Sequence, residues 1–221
     1  MKIDRTYRCG LLLVLAILTT LLLSSCSGDK GTDVKVDEGP DRTTPNGLLL
    51  SFAQSYEEKD LEGYVECLDE DFLFVFTADI ADSLGLPPEG PWWGITEDVN
   101  STQIMFENPN VTDIAFSYEV AIPWGPYVEV REDTIFSGVL CRLDPLIEVT
   151  TSVGSSEDPI LTYRVDSSYL DVVVVPDRFT EGLWCILRIE ESKKQMLQAP
   201  IASEPLATEA CTWGAVKSKW Q

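Results

Sequence analysis

Cys9 to Leu23 is a run of fifteen residues without a charge, and nothing else in the 221-residue chain constrains its fate as strongly. Lys2, Arg5 and Arg8 precede it against a single Asp4, so a basic segment leads into an apolar one. As a helix the run would rise about 22 Å at ~1.5 Å per residue, short of the ~30 Å hydrocarbon core of a bilayer. A permanent transmembrane helix is therefore not expected. The layout is that of an export signal with its n- and h-regions, and residues 1–25 are set apart from the folded domain.

The run closes on Leu23-Ser24-Ser25-Cys26, which resembles the lipobox of bacterial lipoproteins. That resemblance implies a diacylglyceryl group on the Cys26 thiol, cleavage before it, and a further acyl chain, such as palmitate, on the new N-terminus. Two or more chains, at ~0.8 kcal/mol per buried CH₂, make a stable membrane anchor. Because Ser27 and not Asp follows Cys26, the resemblance further implies the periplasmic side of the outer membrane in a cell with two membranes. Plain secretion, with Cys26 an ordinary thiol, is the alternative.

Residues 26–43 are expected to be a lipidated, acidic tether. From Ser27 to Thr43 eight of seventeen residues are charged, Gly28, Gly31, Gly39 and Pro40 are interspersed, and no apolar period exists that could bury surface. Residues 44–221 remain for one domain with a core of its own, and no internal repeat divides them. Three of the 16 basic residues and one of the 37 acids lie in residues 1–25, so the rest carries a formal charge of −23. Such a surface repels nucleic acid and anionic head groups.

Thr44 can cap a helix with Pro45 at its first position, and Leu48, Leu49, Phe52, Ala53 and Tyr56 follow at helical spacing. Asp60 restarts the pattern for a second short helix carrying Leu61, Tyr64, Val65 and Leu68. Phe72 to Phe76 reads as a buried strand and residues 96–106 as a third helix. Ile114, Phe116, Tyr118 and Val120 alternate with Ala115, Ser117 and Glu119 as in a half-buried strand, and Pro123-Trp124-Gly125-Pro126 reads as a turn. Further strands are expected near 128–142, 146–152, 162–175 and 182–190, with a last segment from Thr212 to Trp220. The class is α+β, three N-terminal helices packed on a curved, mainly antiparallel sheet.

That order, with the stretch from Phe52 through Tyr56, Asp60-Leu61, Tyr64 and Leu68 to Asp71-Phe72, resembles the NTF2-like cone fold shared with ketosteroid isomerase and the SnoaL-like cyclases. The Trp-Gly-x-Val-Lys run at Trp213–Lys217 is similar to the ending of bacterial lipoproteins that carry such a domain behind a lipobox. The resemblance implies a pocket between the helices and the concave face of the sheet, lined here by Phe52, Tyr56, Phe74, Phe76, Trp93, Phe106, Phe116 and Tyr118. It also implies that many relatives form homodimers. In the isomerase-like members a carboxylate ends the first strand and a tyrosine sits in the first helix. Matched through Asp60-Leu61, those positions fall on Phe76 and Phe52, and neither ring can move a proton or donate to an oxyanion.

The chain has no histidine, so Ser-His and Cys-His activation and HExxH zinc sites are excluded. No catalytic residue, metal or cofactor is assigned. Asp69-Glu70-Asp71, Glu132-Asp133 and Glu190-Glu191 read as solvated loops or strand ends, and Asn100 and Asn110 as turn residues. Cys67, Cys141, Cys185 and Cys211 could form disulfides, in any of three pairings, or be buried thiols. The function expected is a non-enzymatic module at the cell envelope, binding a small hydrophobic ligand or an envelope protein. The alternatives are an isomerase, dehydratase or cyclase using Tyr56 with Asp79 or Asp113, and a structural protein whose pocket is filled by its own side chains.

Overall fold

Cap chemistry sets the first helices. In the computed structural model, which describes residues 41–152, 161–194 and 208–220, α1 spans Pro45–Glu58, and the Thr44 side chain accepts from the Gly47 N–H. Lys59, in the left-handed region at φ 54°, ends it. Asp60 then caps α2, Leu61–Glu66, by accepting from the Gly63 N–H at 3.1 Å. The expected export signal, the lipidation site Cys26 and nearly all of the tether lie outside the described residues.

The other elements are β1 (Leu68–Val75), α3 (Ala78–Ser83), β2 (Trp92–Gly94), α4 (Ile95–Glu107), β3 (Val111–Arg131), β4 (Thr134–Thr151), β5 (Leu161–Val165), β6 (Ser168–Pro176), β7 (Trp184–Lys193), β8 (Thr208–Cys211) and α5 (Trp213–Ser218). The eight strands form one curled sheet in the order β2-β1-β7-β6-β4-β5-β8, with β3 paired to β4. Only β1 with β7 and β5 with β8 run parallel. The other pairings are antiparallel, as the mainly antiparallel α+β class requires.

β4 organises this sheet. One edge carries β3 along nearly its whole length; the other pairs residues 139–143 with β6 and 147–151 with β5. Pro145 stands in the gap between those two partners, where its missing N–H costs no ladder bond.

Several expectations are corrected. Pro123–Pro126 is not a turn: β3 runs through it with register shifts between Val120 and Ile122 and between Ile122 and Gly125. Bulges tolerate prolines, and the chain reverses instead at Glu132-Asp133, with Glu132 at φ 49°. Residues 162–175 are two strands, and the last segment is preceded by a strand and is itself a helix, capped by Thr212, which accepts from the Ala215 N–H. Five helices are described, not three: α1, α2 and α4 match those expected, and α3 and α5 are additional. Asn100 lies within α4, whereas Asn110 does precede β3. All four cysteines of the described domain are free thiols, and Cys67, Cys141 and Cys185 are buried.

The core has two parts because the central strands bury both faces. On the helix side Val172 and Val174 of β6 join Ile186 and Ile189 of β7 beneath α1 and α4. On the far side Val173, Val175, Cys185 and Leu187 pack with Phe136, which the β3–β4 hairpin carries across. Gly138 permits that crossing: a Cβ there would stand 2.0 Å from the Val174 carbonyl oxygen. Because backbone would have to move, Gly138→Ala is expected to lower unfolding stability by about 3 kcal/mol or more, read as a fall in the denaturant midpoint.

Candidate functional site

The eight residues expected to line a pocket come from α1 (Phe52, Tyr56), β1 and the residue after it (Phe74, Phe76), β2 (Trp93), α4 (Phe106) and β3 (Phe116, Tyr118). The fold brings them into two touching groups. Phe52, Tyr56, Phe106 and Phe116 meet with centroid separations of 5.3 Å (Phe52–Tyr56), 5.4 Å (Tyr56–Phe106) and 5.7 Å (Tyr56–Phe116). Tyr118 continues this group at 6.3 Å from Phe116. Phe76 lies 4.9 Å from Phe74 and 4.7 Å from Trp93.

Two further aromatic side chains, not expected as pocket lining, pack on the first group. Trp213 of α5 inserts its indole 5.1 Å from the Tyr56 ring and 6.4 Å from Phe116. Tyr64 of α2 sits 5.2 Å from Tyr56 and 5.5 Å from Phe52. The space left over is a cavity of about 10 Å³ walled by Leu49, Phe52, Phe116, Tyr118 and apolar residues of β4, β6 and β7. A cavity needs ~10–15 Å³ to admit one water, so the cone is filled by its own side chains.

Beside the aromatic rings lies a buried polar centre. Tyr64 Oη donates to Asp98 Oδ2, and Lys217 Nζ donates to Asp98 Oδ1 and, at 3.2 Å, to Tyr64 Oη. The side chains of Lys217 and Asp98 are 1% and 0% exposed. The Lys217 ammonium also lies 5.1 Å from the Phe74 ring centroid and 5.8 Å from that of Trp213. Tyr56 Oη lies near Tyr64 and Thr102 but reaches hydrogen-bond geometry with neither, and Trp213 Nε1 is likewise buried without a partner.

Burial pulls the Lys217 ammonium down, but the Asp98 carboxylate outweighs it and holds the lysine above its ordinary value. Burial, then the Asp98 charge, pushes the Tyr64 phenol well above the usual range. A lysine kept protonated offers no lone pair to a carbonyl, and the Tyr64 phenol gives its proton to the hydrogen bond with Asp98. Asp79, proposed as a base, pairs on the surface with Lys193 at 2.9 Å, and Asp113 is exposed on β3.

The acid clusters also have structural partners. Arg178 gathers Asp69, Glu70 and Asp71 at 2.5, 3.3 and 2.9 Å, with Asp69 itself buried. Glu191 is buried too, and Oε1 accepts from the Trp213 N–H at 2.6 Å and from Ser168 Oγ at 3.0 Å. Among the described residues no group of three or more His, Cys, Asp or Glu side chains could hold a metal ion. No described helix is long and apolar enough to cross a membrane.

The Trp-Gly-x-Val-Lys run thereby acquires a role at each named position. Trp213 fills the cone, Val216 is buried, and Lys217 reaches Asp98. Gly214 leaves room for Phe76, whose Cδ1 would stand 2.6 Å from an added Cβ.

No protein-family model matches the chain, and no curated protein matches it. Solved structures similar to it include a protein of unknown function from Mycobacterium tuberculosis, at 14% identity and TM-score 0.41, covering 69% of this chain and 70% of the other. A protein of the NTF2-like family from Streptomyces avermitilis has 15% identity and TM-score 0.43, covering 67% and 93%. An NTF2-like superfamily protein from Salmonella enterica serovar Typhimurium has 10% identity and TM-score 0.41, covering 71% and 92%.

Two outcomes follow from the polar centre. Lys217→Met strands the Asp98 carboxylate in the core and is expected to cost about 3–5 kcal/mol in denaturant unfolding. The raised phenols of Tyr56 and Tyr64 and the raised Lys217 ammonium contribute stability that is complete below their ordinary values of 10.0 and 10.5 and is lost as pH rises above them. Alkaline titration should therefore show the phenolate absorbance of the buried tyrosines appearing together with loss of circular dichroism above pH 10, not before it.

Proposed function

We infer that the chain is a cell-envelope lipoprotein, anchored through Cys26, whose NTF2-like cone domain serves as a non-enzymatic interaction module acting through its surface. The observation that carries this reading is the filled cone: Trp213 and the aromatic side chains leave about 10 Å³. The NTF2-like assignment is supported by the helix, helix, strand order of α1, α2 and β1, and by α4 packed against the curled sheet. The anchor reading is supported by the basic segment, the apolar run and Leu23-Ser24-Ser25-Cys26.

An isomerase, dehydratase or cyclase reading needs a carboxylate free to work beside Tyr56. Asp98 is the acid nearest to that requirement, and it is held by Lys217 and Tyr64. A small hydrophobic ligand would have to displace the Trp213 indole. The interaction reading therefore places function on exposed surface rather than in the cone.

Native mass spectrometry of the protein extracted from membranes tests both parts. The expected mass is that of the acylated chain from Cys26 onward with no stoichiometric small molecule; a bound ligand lost on Trp213→Phe would overturn the closed-cone reading. Cys26→Ala should move the protein from the membrane to the soluble fraction, and unchanged partitioning would overturn the anchor.

A further inference from the structure

The tether enters the domain beside one loop. The Trp184 N–H donates to the Arg42 carbonyl at 2.8 Å, and Arg42 Nη1 lies 3.9 Å from Asp177 Oδ2. Asp177 and Leu183, bonded N–H to carbonyl at 2.8 Å, are the two stems of the loop between β6 and β7. The loop is well built: Asp177 Oδ1 accepts from the amides of Phe179 and Thr180 at 2.8 and 3.0 Å, and Gly182 takes the φ of 83° that the turn requires. Yet Phe179 stands in solvent, 76% exposed.

The same end carries the tip of the β3–β4 hairpin. The Arg178 guanidinium, next to Phe179, lies 5.2 Å from the ring centroid of Phe136 on that hairpin. Val128, Val130 and Ile135 there are 65%, 65% and 70% exposed. Val130 pairs with Ile135 and Val128 with Ser137, so these three share the hairpin face opposite Phe136, away from the side that Arg178 meets.

Chain length decides which end of an anchored domain meets the lipid. Fourteen residues lie between Cys26 and Asp41, and the tether expected from their sequence would span about 20–25 Å. A domain of this size has a radius of gyration of about 16 Å and so a width of about 40 Å. A tether shorter than the domain is wide keeps its own end toward the bilayer.

We propose that the Phe179 loop is a lipid-contact surface that docks on zwitterionic phospholipid and fixes how the anchored domain is presented. The proposal rests on the Cys26 anchor. Glu66, Glu70, Asp71 and the exposed Glu181 surround the loop, so the contact suits neutral lipid and weakens on an anionic surface. The aromatic ring belongs at the interface, where it sheds apolar area without burying charge.

The test uses the lipidated protein on phosphatidylcholine vesicles containing a trace of phosphatidylcholine with a photoactivatable group high on its acyl chain. Adducts mapped by mass spectrometry are expected to concentrate on residues 177–183. Phe179→Asp should lower the loop adducts about tenfold, the population ratio that burying one phenylalanine sustains, without changing the vesicle-bound fraction. Phe179→Trp should retain them, and replacing half the lipid with phosphatidylglycerol should reduce them. Adducts spread evenly over the domain, or unmoved by Phe179→Asp, overturn the contact while leaving the anchor standing. A protein that does not float with the vesicles at all overturns both.

Discussion

The ion pair between Lys217 and Asp98 is the constraint on which the closed form of the domain depends. It joins α5 to α4, and through Tyr64 it reaches α2. Withdrawing two charges from water costs several kcal/mol per ion, so such a pair contributes little net stability over an apolar replacement. Its effect is registry. A one-residue slip of α5 would carry Lys217 off Asp98 and put a Cβ where Gly214 now clears Phe76 by having none.

α5 is held at both ends by carboxylates. At its start, Glu191 of β7 accepts from the Trp213 amide, and from Gly214 at 3.3–3.4 Å; near its end, Asp98 of α4 holds Lys217. A six-residue helix cannot stand alone, since nucleation fixes several residues for one hydrogen bond. Burial raises the Glu191 carboxyl, with donors from Ser168, Gly214 and Trp213 working against the rise. The same two anchors place the Trp213 indole in the cone.

The sequence was most legible where structure is local. Thr44-Pro45 and Asp60 announced α1 and α2 because caps act within three residues, and the aromatic residues of the cone were visible because β1, α1 and β3 each show a clear period. The run through Pro123 and Pro126 misled because the turn chemistry of proline is indistinguishable, in sequence, from a bulge on an edge strand. α5 and the Asp98–Lys217–Tyr64 centre were hidden for another reason. Their partners are 119 and 153 positions apart, and a lysine four residues after a tryptophan reads as a solvated helix face. The Trp213–Lys217 run stood out as a pattern, but only packing reveals that each position fills or clears a defined space. Whether the cone is open depended on that packing and not on the list of its residues.

β3 shows how a domain with a closed interior also restricts its surface. At 21 residues it is a long edge strand, paired among the described residues only with β4, and bare edges invite further pairing. α1 covers its first part: Glu57 Oε1 accepts from the Phe116 N–H at 3.2 Å and Lys59 Nζ donates to the Val111 carbonyl. Its middle is broken by the bulges and two prolines, and Trp124 there ties back by donating to Asn46 Oδ1 at 2.8 Å. In the stretch from Tyr127 to Arg131, Glu129 is clasped by Arg131 at 2.9 Å. With the edge guarded, the most exposed large apolar side chains among the described residues are Phe179 and, on the hairpin, Val128, Val130 and Ile135. Arg42 lies beside the loop that carries Phe179, its carbonyl accepting from the Trp184 N–H at 2.8 Å.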